Sequence, residues 1–403
     1  MSASHGQRAI GFAGRHMPAL AAATNVARTG GRLAGKRVAL SLVLEPKTAN
    51  LALALDSLGA EVVVAGSANS TQDATADALR EAGIAVFAER GASAQRAAEL
   101  RAAFVATEPQ LLADDGASVI RYLHSDRPEL LEGLIGVAEE TTSGVRPLRN
   151  MAADGSLAVP AVAVNDARTK LLFDNVHGTG QSVVMAVLDV TNTQLQGKRV
   201  VVVGYGRVGK GIASSARALG ARVTVTEIDP VEALAAHHDG HDVAPVAEAV
   251  TWADVVITAS GIGHSLTAEH VAAMPDGAIV AVGGMGPPEF DPTPTDGVVL
   301  EFGEVVRPGV RELVVAGGPT VFVIAEGFCA NTSAAEGNPI EVMDLSLALQ
   351  MRALDYLVEA DLPVGVHLLP KHIDDEVALS QLHAVGVTID VPSPAQVEAS
   401  LRW

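Results

Sequence analysis

One cysteine, Cys329, occurs in 403 residues. An intramolecular disulfide and any cysteine-based metal cluster are therefore excluded, and Cys329 reads as a small buried hydrophobe rather than a nucleophile. Aromatic residues make up 3% and charged residues 19%, against 48% hydrophobic. Such a balance opposes disorder and suits an α/β protein built on Ala, Val, Leu and Gly. Positive charge is scarce: 28 Lys and Arg against 47 Asp and Glu leave a formal net charge of −19. That field repels phosphate backbones and anionic bilayers, so no nucleic acid and no membrane is expected as a partner. No run reaches the ~18 apolar residues of a membrane span, and MSASHGQRAIGFAGRH at the N-terminus lacks the apolar core of a secretory signal. A cytoplasmic location is expected. The twelve histidines show no ligand spacing, so no metal site is expected; the pair His237 and His238 reads as a solvated helix face.

The length calls for more than one hydrophobic core. From Arg32, RLAGKRVALSLVL reads as a buried strand, PKTANLALALDSLG as a helix, AEVVVAG as a strand and TQDATADALREAG as a helix. A second alternation begins at Gly197 with VVVVG, KGIASSARALG, RVTVTE, VEALAAHH, ADVVITASG and GAIVAVGG, and PIEVMDLSLALQMRALDYLVEA has the apolar spacing of a long amphipathic helix. The fold class is α/β with two domains, each a doubly wound parallel sheet.

Gly204, Gly206 and Gly209 form G-x-G-x-x-G between a strand and a helix. Glycines at these positions permit a tight turn, close approach of backbone N–H groups to a pyrophosphate, and close helix packing, while the helix N-terminus favours the negative charge. Arg207 and Val208 lie inside the turn. Glu227, about 20 residues further on, ends the next strand, where its carboxylate can accept from a ribose diol and repels a 2′-phosphate. Ile228 follows it. The cofactor expected is NAD rather than NADP.

Upstream stand AEETTSGV and VNDARTKLLFDN, and the chain also carries NSTQDATADALREAGIAVFAERG, GYGRVGKG, TEIDP, AEG, GNPIEVM and PVGVHLLPKHIDDEV. In this order the segments resemble adenosylhomocysteinase, the S-adenosylhomocysteine hydrolase family, over most of the chain. The resemblance implies a substrate-binding domain over residues 1–180, a Rossmann NAD domain over 181–336, a helix over 337–370 returning to the substrate domain, and a C-terminal segment over 371–403. It implies a homo-oligomer, dimer or tetramer, and an adenine nucleoside or related small molecule as substrate. It also implies an internal redox cycle: C3′ is oxidised by NAD, the ketone acidifies C4′–H, and the C5′ substituent leaves. The chemical logic holds independently, because a C–H beside a hydroxyl is beyond the reach of any side-chain base whereas one beside a ketone is within it.

Carried over by position, Lys170 and Asp174 assist removal of the C3′ hydroxyl proton, and Asp115 and Glu140 are the catalytic and substrate-binding carboxylates. Thr141, Thr142, Ser143, Asn175 and Asn331 hold the nicotinamide half of NAD. Without the resemblance, Asp174 and Asn175 read equally as cap or turn residues, and Thr141 to Ser143 as the start of a helix.

The chain departs from the family around the 5′ position. Where the family has a histidine in LHMTVET, this chain reads LVLEPKT, with Val43 in its place and Glu45, Lys47 and Thr48 as the neighbouring substrate contacts. Met285 and Asn338 replace two further histidines, Thr179 replaces a cysteine, and all three are expected to be substrate-binding. Imidazole is the side chain best suited to moving protons near neutral pH, so the 5′ chemistry is expected to differ; His177, beside the matched residues, is the candidate replacement. The expected reaction is elimination of a 5′-hydroxyl, giving a 4′,5′-unsaturated nucleoside (5′,6′ in a hexulose such as psicofuranine), the kind of sugar found in angustmycin A. The alternatives are hydrolysis of S-adenosylhomocysteine, C4′ epimerisation, and an NAD-binding regulatory pseudoenzyme.

Overall fold

The computed structural model describes residues 3–285, 288–295 and 297–402. Two helices, α1 (His5–Arg15) and α2 (Pro18–Gly30), precede the first alternation. It runs β1 (Arg37–Ser41), α3 (Pro46–Ser57), β2 (Glu61–Ala65), α4 (Asp73–Glu81), β3 (Ala85–Phe87), α5 (Ala94–Val105), β4 (Leu111–Asp114), α6 (Ser118–Asp126), β5 (Gly136–Glu139), α7 (Thr142–Asp154), β6 (Pro160–Ala163) and α8 (Arg168–Leu171). A π-helical turn over Asp174–Thr179 continues directly into α9 (Gly180–Thr191) and carries the chain to the second unit.

The second alternation runs β7 (Arg199–Val203), α10 (Arg207–Ala218), β8 (Arg222–Thr226), α11 (Pro230–His238), β9 (Asp242–Val243), α12 (Val246–Ala249), β10 (Val255–Thr258), β11 (Leu266–Thr267), α13 (Ala268–Ala272), β12 (Ile279–Val282) and β13 (Phe290–Asp291). An antiparallel addition follows, β14 (Leu300–Arg307), β15 (Val310–Val315) and β16 (Thr320–Ile324), the last of which pairs parallel to β12. The chain ends with α14 (Ala330–Ser333), α15 (Ile340–Ala360), β17 (Gly365–His367), α16 (Lys371–Ala384) and α17 (Pro394–Ser400).

The first sheet has the order β17-β6-β5-β4-β1-β2-β3, and every pairing in it is parallel. The strand order reverses between β1 and β4, so their C-terminal ends, Ser41 beside Asp114, open a crevice. The second sheet has the order β14-β15-β16-β12-β10-β7-β8-β9 and reverses between β7 and β10. Its central strands are continuous apolar runs such as RVVVV, buried from Val200 to Val203, as a sheet covered by helices on both faces requires.

Three features were not legible as strand and helix alternation. The hairpin β14–β15 extends the second sheet antiparallel. Residues 365–367 return as an edge strand of the first sheet, and α16 packs on α2. The helix expected to be amphipathic, α15, is instead buried all round from Asp344 to Asp355. It runs among α2, α3, α16 and the hinge, and its polar residues are spent on internal hydrogen bonds: Asp344 accepts from Ala19 N and Leu20 N, at 2.8 Å each, at the start of α2.

Candidate active site

The crevice of the second sheet is built by glycine. Gly204 follows β7 with φ +100°, and a Cβ there would meet Ala259 O at 2.7 Å; a Cβ on Gly209 would meet Gly204 O at 2.0 Å. No side chain is tolerated at either position. At Gly206, the N-cap of α10, a Cβ would point into open space and no side chain caps the helix, so its first N–H groups face outward with nothing of the protein over them. Glu227 ties the turn together, accepting from Tyr205 N (2.6 Å), Ile228 N (2.7 Å) and Asp229 N (3.0 Å). Ile228 is 84% exposed beside it, an apolar surface suited to a flat ring. Val208 is half-buried and Arg207 exposed on the first turn. An uncapped helix end, a carboxylate at the ribose position and an apolar platform fit a dinucleotide.

At the opposite end, Asn175 Oδ1 is buried without a hydrogen-bond partner, which suits a ligand amide. Asn331 is buried and donates to Ser182 Oγ and Asn338 Oδ1, both at 2.9 Å. Thr141 caps α7 by accepting from Gly144 N at 3.3 Å and donates to Glu139 Oε1 at 2.9 Å, so the capping role is real at this position. Thr142 donates to Asn165 Oδ1 at 3.1 Å, and Ser143 lies 3.0 Å from the Thr141 hydroxyl.

The first crevice holds the carboxylates. Lys170, fully buried, donates to Asp174 Oδ2 at 2.8 Å and to Asn165 Oδ1 at 3.2 Å. Burial acts to lower its pKa, but Asp174 and Glu140 outweigh that and raise it, so the ammonium form is favoured. Glu140 accepts from Ser346 Oγ on one oxygen and from Gln350 Nε2, at 2.6 Å, on the other. Burial raises its pKa, while Lys170, Ser346 and Gln350 pull it down. Asp115 lies after β4, partly solvent-accessible, and is pushed up to about 7 by loss of water and by its neighbours Glu140 and Asp114. Beneath it, buried Asp114 accepts from Val119 N and Ile120 N, and Glu139 from Ala117 N, each at 2.9 Å, fixing the helix ends that carry the crevice.

A cavity of about 440 Å³ opens beside Asp115, lined also by Val43, Ser67, Arg101 and Met285. Two of the three positions where the family has histidine thus share one wall with Asp115. Glu45 is buried against Lys47 in an ion pair and is pushed up to about 7, chiefly by burial. Lys47 also donates to Glu336 O (2.8 Å) and Asn338 O (2.9 Å). Thr48 donates to Val43 O at 2.6 Å, and Thr179 Oγ1 accepts from Asn338 Nδ2 at 3.2 Å. His177 is exposed, its ring 6.1 Å from that of Phe173, and it does not line the Asp115 cavity. Cys329 is buried, its thiol pushed up to about 12 by burial, which makes it a poor nucleophile.

Sequence reasoning missed Asn165, Ser182, Ser346 and Gln350. The signal for the last two was present as a polar pair at i and i+4 among the apolar residues 345–351 of α15.

A dinucleotide crevice facing a crevice of buried carboxylates and one lysine defines an NAD-dependent α/β enzyme. The sequence comparisons narrow the class. The family S-adenosyl-L-homocysteine hydrolase matches residues 1–129, and its NAD binding domain matches residues 175–337. The adenosylhomocysteinase of Thermotoga maritima is 44% identical over 401 residues, covering 99% of both chains. The S-inosyl-L-homocysteine hydrolase of Methanopyrus kandleri is 40% identical over 406 residues, covering 100% of this chain and 95% of its own. The chain belongs to the adenosylhomocysteinase family, with NAD as its cofactor. Among the described residues no helix is long and apolar enough to cross a membrane, and no cluster of His, Cys, Asp and Glu could hold a metal ion.

Proposed function

We propose that the chain is an NAD-dependent nucleoside lyase, which oxidises C3′ transiently, removes the C4′ proton and eliminates the C5′ substituent. Its reaction is dehydration of a 5′-hydroxy adenine nucleoside to the 4′,5′-unsaturated product. The observation that carries this reading is the wall around Asp115, where Val43 and Met285 stand and no imidazole does.

Bound in the glycine crevice, NAD supplies a reversible hydride acceptor for the C3′ carbon. Lys170 has three N–H donors, two of them engaged by Asp174 and Asn165; the third is free for the 3′-oxygen, and the hydroxyl proton passes onto Lys170 as the ammonium hands one of its own to Asp174. Glu140, clamped by Ser346 and Gln350, keeps lone pairs for a sugar hydroxyl. Asp115, poised near neutrality, takes the C4′ proton as a carboxylate and returns it to the departing 5′-oxygen as a carboxylic acid. Water leaves, and the C3′ ketone then recovers its hydride and, through Lys170, its proton, so the net change is the loss of one water. With Val43 and Met285 beside it, no imidazole lines the cavity to assist Asp115 in activating a water for addition to the enone.

Hydrolysis of S-adenosylhomocysteine is the second reading. The cavity beside Asp115, about 440 Å³, exceeds the roughly 30 Å³ of one water and leaves room for a larger 5′ substituent, and the relatives are named hydrolases. The relative that acts on an inosyl substrate makes the base a second variable. The assembly we expect is a homo-oligomer.

The test incubates holoenzyme with adenosine, psicofuranine and S-adenosylhomocysteine, following product mass and NADH absorbance. Loss of one water with transient NADH supports the lyase. Release of homocysteine would instead make the protein a hydrolase, and transient NADH without change of mass would indicate epimerisation.

A further inference from the structure

The junction between the two units contains a side chain whose hydrogen-bonding capacity is used up within the protein. Asn338 Nδ2 donates to Asp174 Oδ1 at 2.8 Å and to Thr179 Oγ1 at 3.2 Å. Its Oδ1 accepts from Asn331 Nδ2 at 2.9 Å and from Ser182 Oγ at 3.1 Å. A carboxamide has two N–H donors and two lone pairs, so all four are occupied. The orientation of the amide is also decided, because ionised Asp174 only accepts. The backbone oxygen of Asn338 accepts from Lys47 Nζ at 2.9 Å. A Cβ on Gly178 would meet Asn338 Nδ2 at 2.9 Å, so the amide lies flat against the hinge at a glycine.

The partners of this one residue come from both units and from the hinge between them: Lys47 from α3, Asp174 and Thr179 from the π-helical turn, Ser182 from α9 and Asn331 from α14. The other oxygen of Asp174 holds Lys170 at 2.8 Å. We propose that Asn338 is a positioning residue for the Lys170–Asp174 pair: a donor that cannot titrate, it fixes one oxygen of Asp174 from across the junction while Lys170 holds the other, and its side chain, saturated within the protein, is not a hydrogen-bond partner of the substrate. This rests on the reading that C3′ is oxidised and is independent of what happens at C5′.

A family histidine is replaced here. An imidazole changes its donor count near neutral pH, whereas an amide keeps it. The charged groups around Asp174 are Lys170 on α8 and Glu140 after β5, with Lys47 and Glu45 beyond Asn338.

The experiment uses holoenzyme and follows NADH formation from bound adenosine across pH. Asn338→Asp, nearly isosteric, sets a carboxylate against Asp174 and is expected to slow NADH formation at pH 8 by about a hundredfold, with partial recovery in acid as the pair shares a proton. Asn338→Ala, which only removes the donor, is expected to cost about tenfold at every pH. Calorimetric affinity for 3′-deoxyadenosine, which lacks the hydroxyl that Lys170 addresses, is expected to stay within about threefold of wild type in both variants, since a lost direct contact would cost more. NADH formation by Asn338→Asp close to the wild-type rate overturns the assignment, as does a parallel loss of 3′-deoxyadenosine binding. If wild type forms no NADH with adenosine, the oxidative reading falls, and the pH dependence of adenosine binding then decides the role of Asn338. A shift between wild type and Asn338→Asp supports it, and coincident curves overturn it.

Discussion

Gln350→Leu separates the two roles of a buried amide. Gln350 is fully buried and donates to Glu140 Oε2 at 2.6 Å, while its own Oε1 is buried with no partner. Leucine removes a hydrogen bond to a charged group, a loss of about 1.5–3 kcal/mol. It also removes an unsatisfied carbonyl whose desolvation costs about 1–3 kcal/mol. These nearly cancel, so the unfolding free energy in urea is expected within about 1.5 kcal/mol of wild type. Activity does not cancel in this way. Burial raises the Glu140 pKa, and Gln350 is among the groups pulling it down; without Gln350 it rises further. Ionised Glu140 is the stronger acceptor for the sugar hydroxyl, and the ionised form disappears as pH falls through its pKa. The acid limb of kcat/KM for nucleoside oxidation therefore moves to higher pH. A loss of more than about 3 kcal/mol together with an unmoved limb would refute this division of roles.

Gly209→Ala places a Cβ 2.0 Å from Gly204 O, a backbone atom that cannot step aside, so purified protein is expected to carry little NAD, measured after acid release; full occupancy would count against the crevice. Asp115→Asn is expected to lower turnover at least about a hundredfold. It also tests linkage. A carboxyl at about 7 in the folded chain and about 3.9 unfolded stabilises the fold fully below the lower value, and that stabilisation declines as pH rises towards the upper one. Allowing for partial solvent access, the variant is expected to be about 1–3 kcal/mol more stable than wild type at pH 8 and equal near pH 4. Equal stability at both pH values would contradict the shift. Glu227→Ala frees three backbone N–H groups in the cofactor turn and removes the repulsion of a 2′-phosphate. NAD affinity is expected to fall about tenfold and the preference over NADP to shrink; an unchanged NAD to NADP ratio in a binding titration would remove Glu227 from the ribose.

The residues for which the sequence was sufficient share a property: their roles follow from neighbours in the chain. Gly204, Gly206 and Gly209 need only a strand before and a helix after, and Lys170 reaches Asp174 one helical turn away. The substitutions behind the proposed change of chemistry were legible too, as Val43, Met285 and Asn338 standing where the family has histidine. The central strands announced themselves as apolar runs, because a strand covered on both faces has no polar side to hide.

The remaining decisions depended on residues far apart in sequence. Ser346 and Gln350 clamp Glu140 across more than two hundred positions, and Asn338 gathers Lys47, Asp174, Thr179, Ser182 and Asn331 only because α15 returns to the first unit. The raised pKa of Asp115 comes first from burial and then from Glu140, which follows β5, and the adjoining Asp114, and no local pattern encodes burial. Sequence alone determined the cofactor and the family and named the candidate reacting groups, because each is a short-range pattern of residue types. Tertiary structure decided which of those groups is clamped, which is buried beside other carboxylates and which has its hydrogen bonds used up within the protein, because hydrogen-bond saturation and desolvation exist only after distant segments meet.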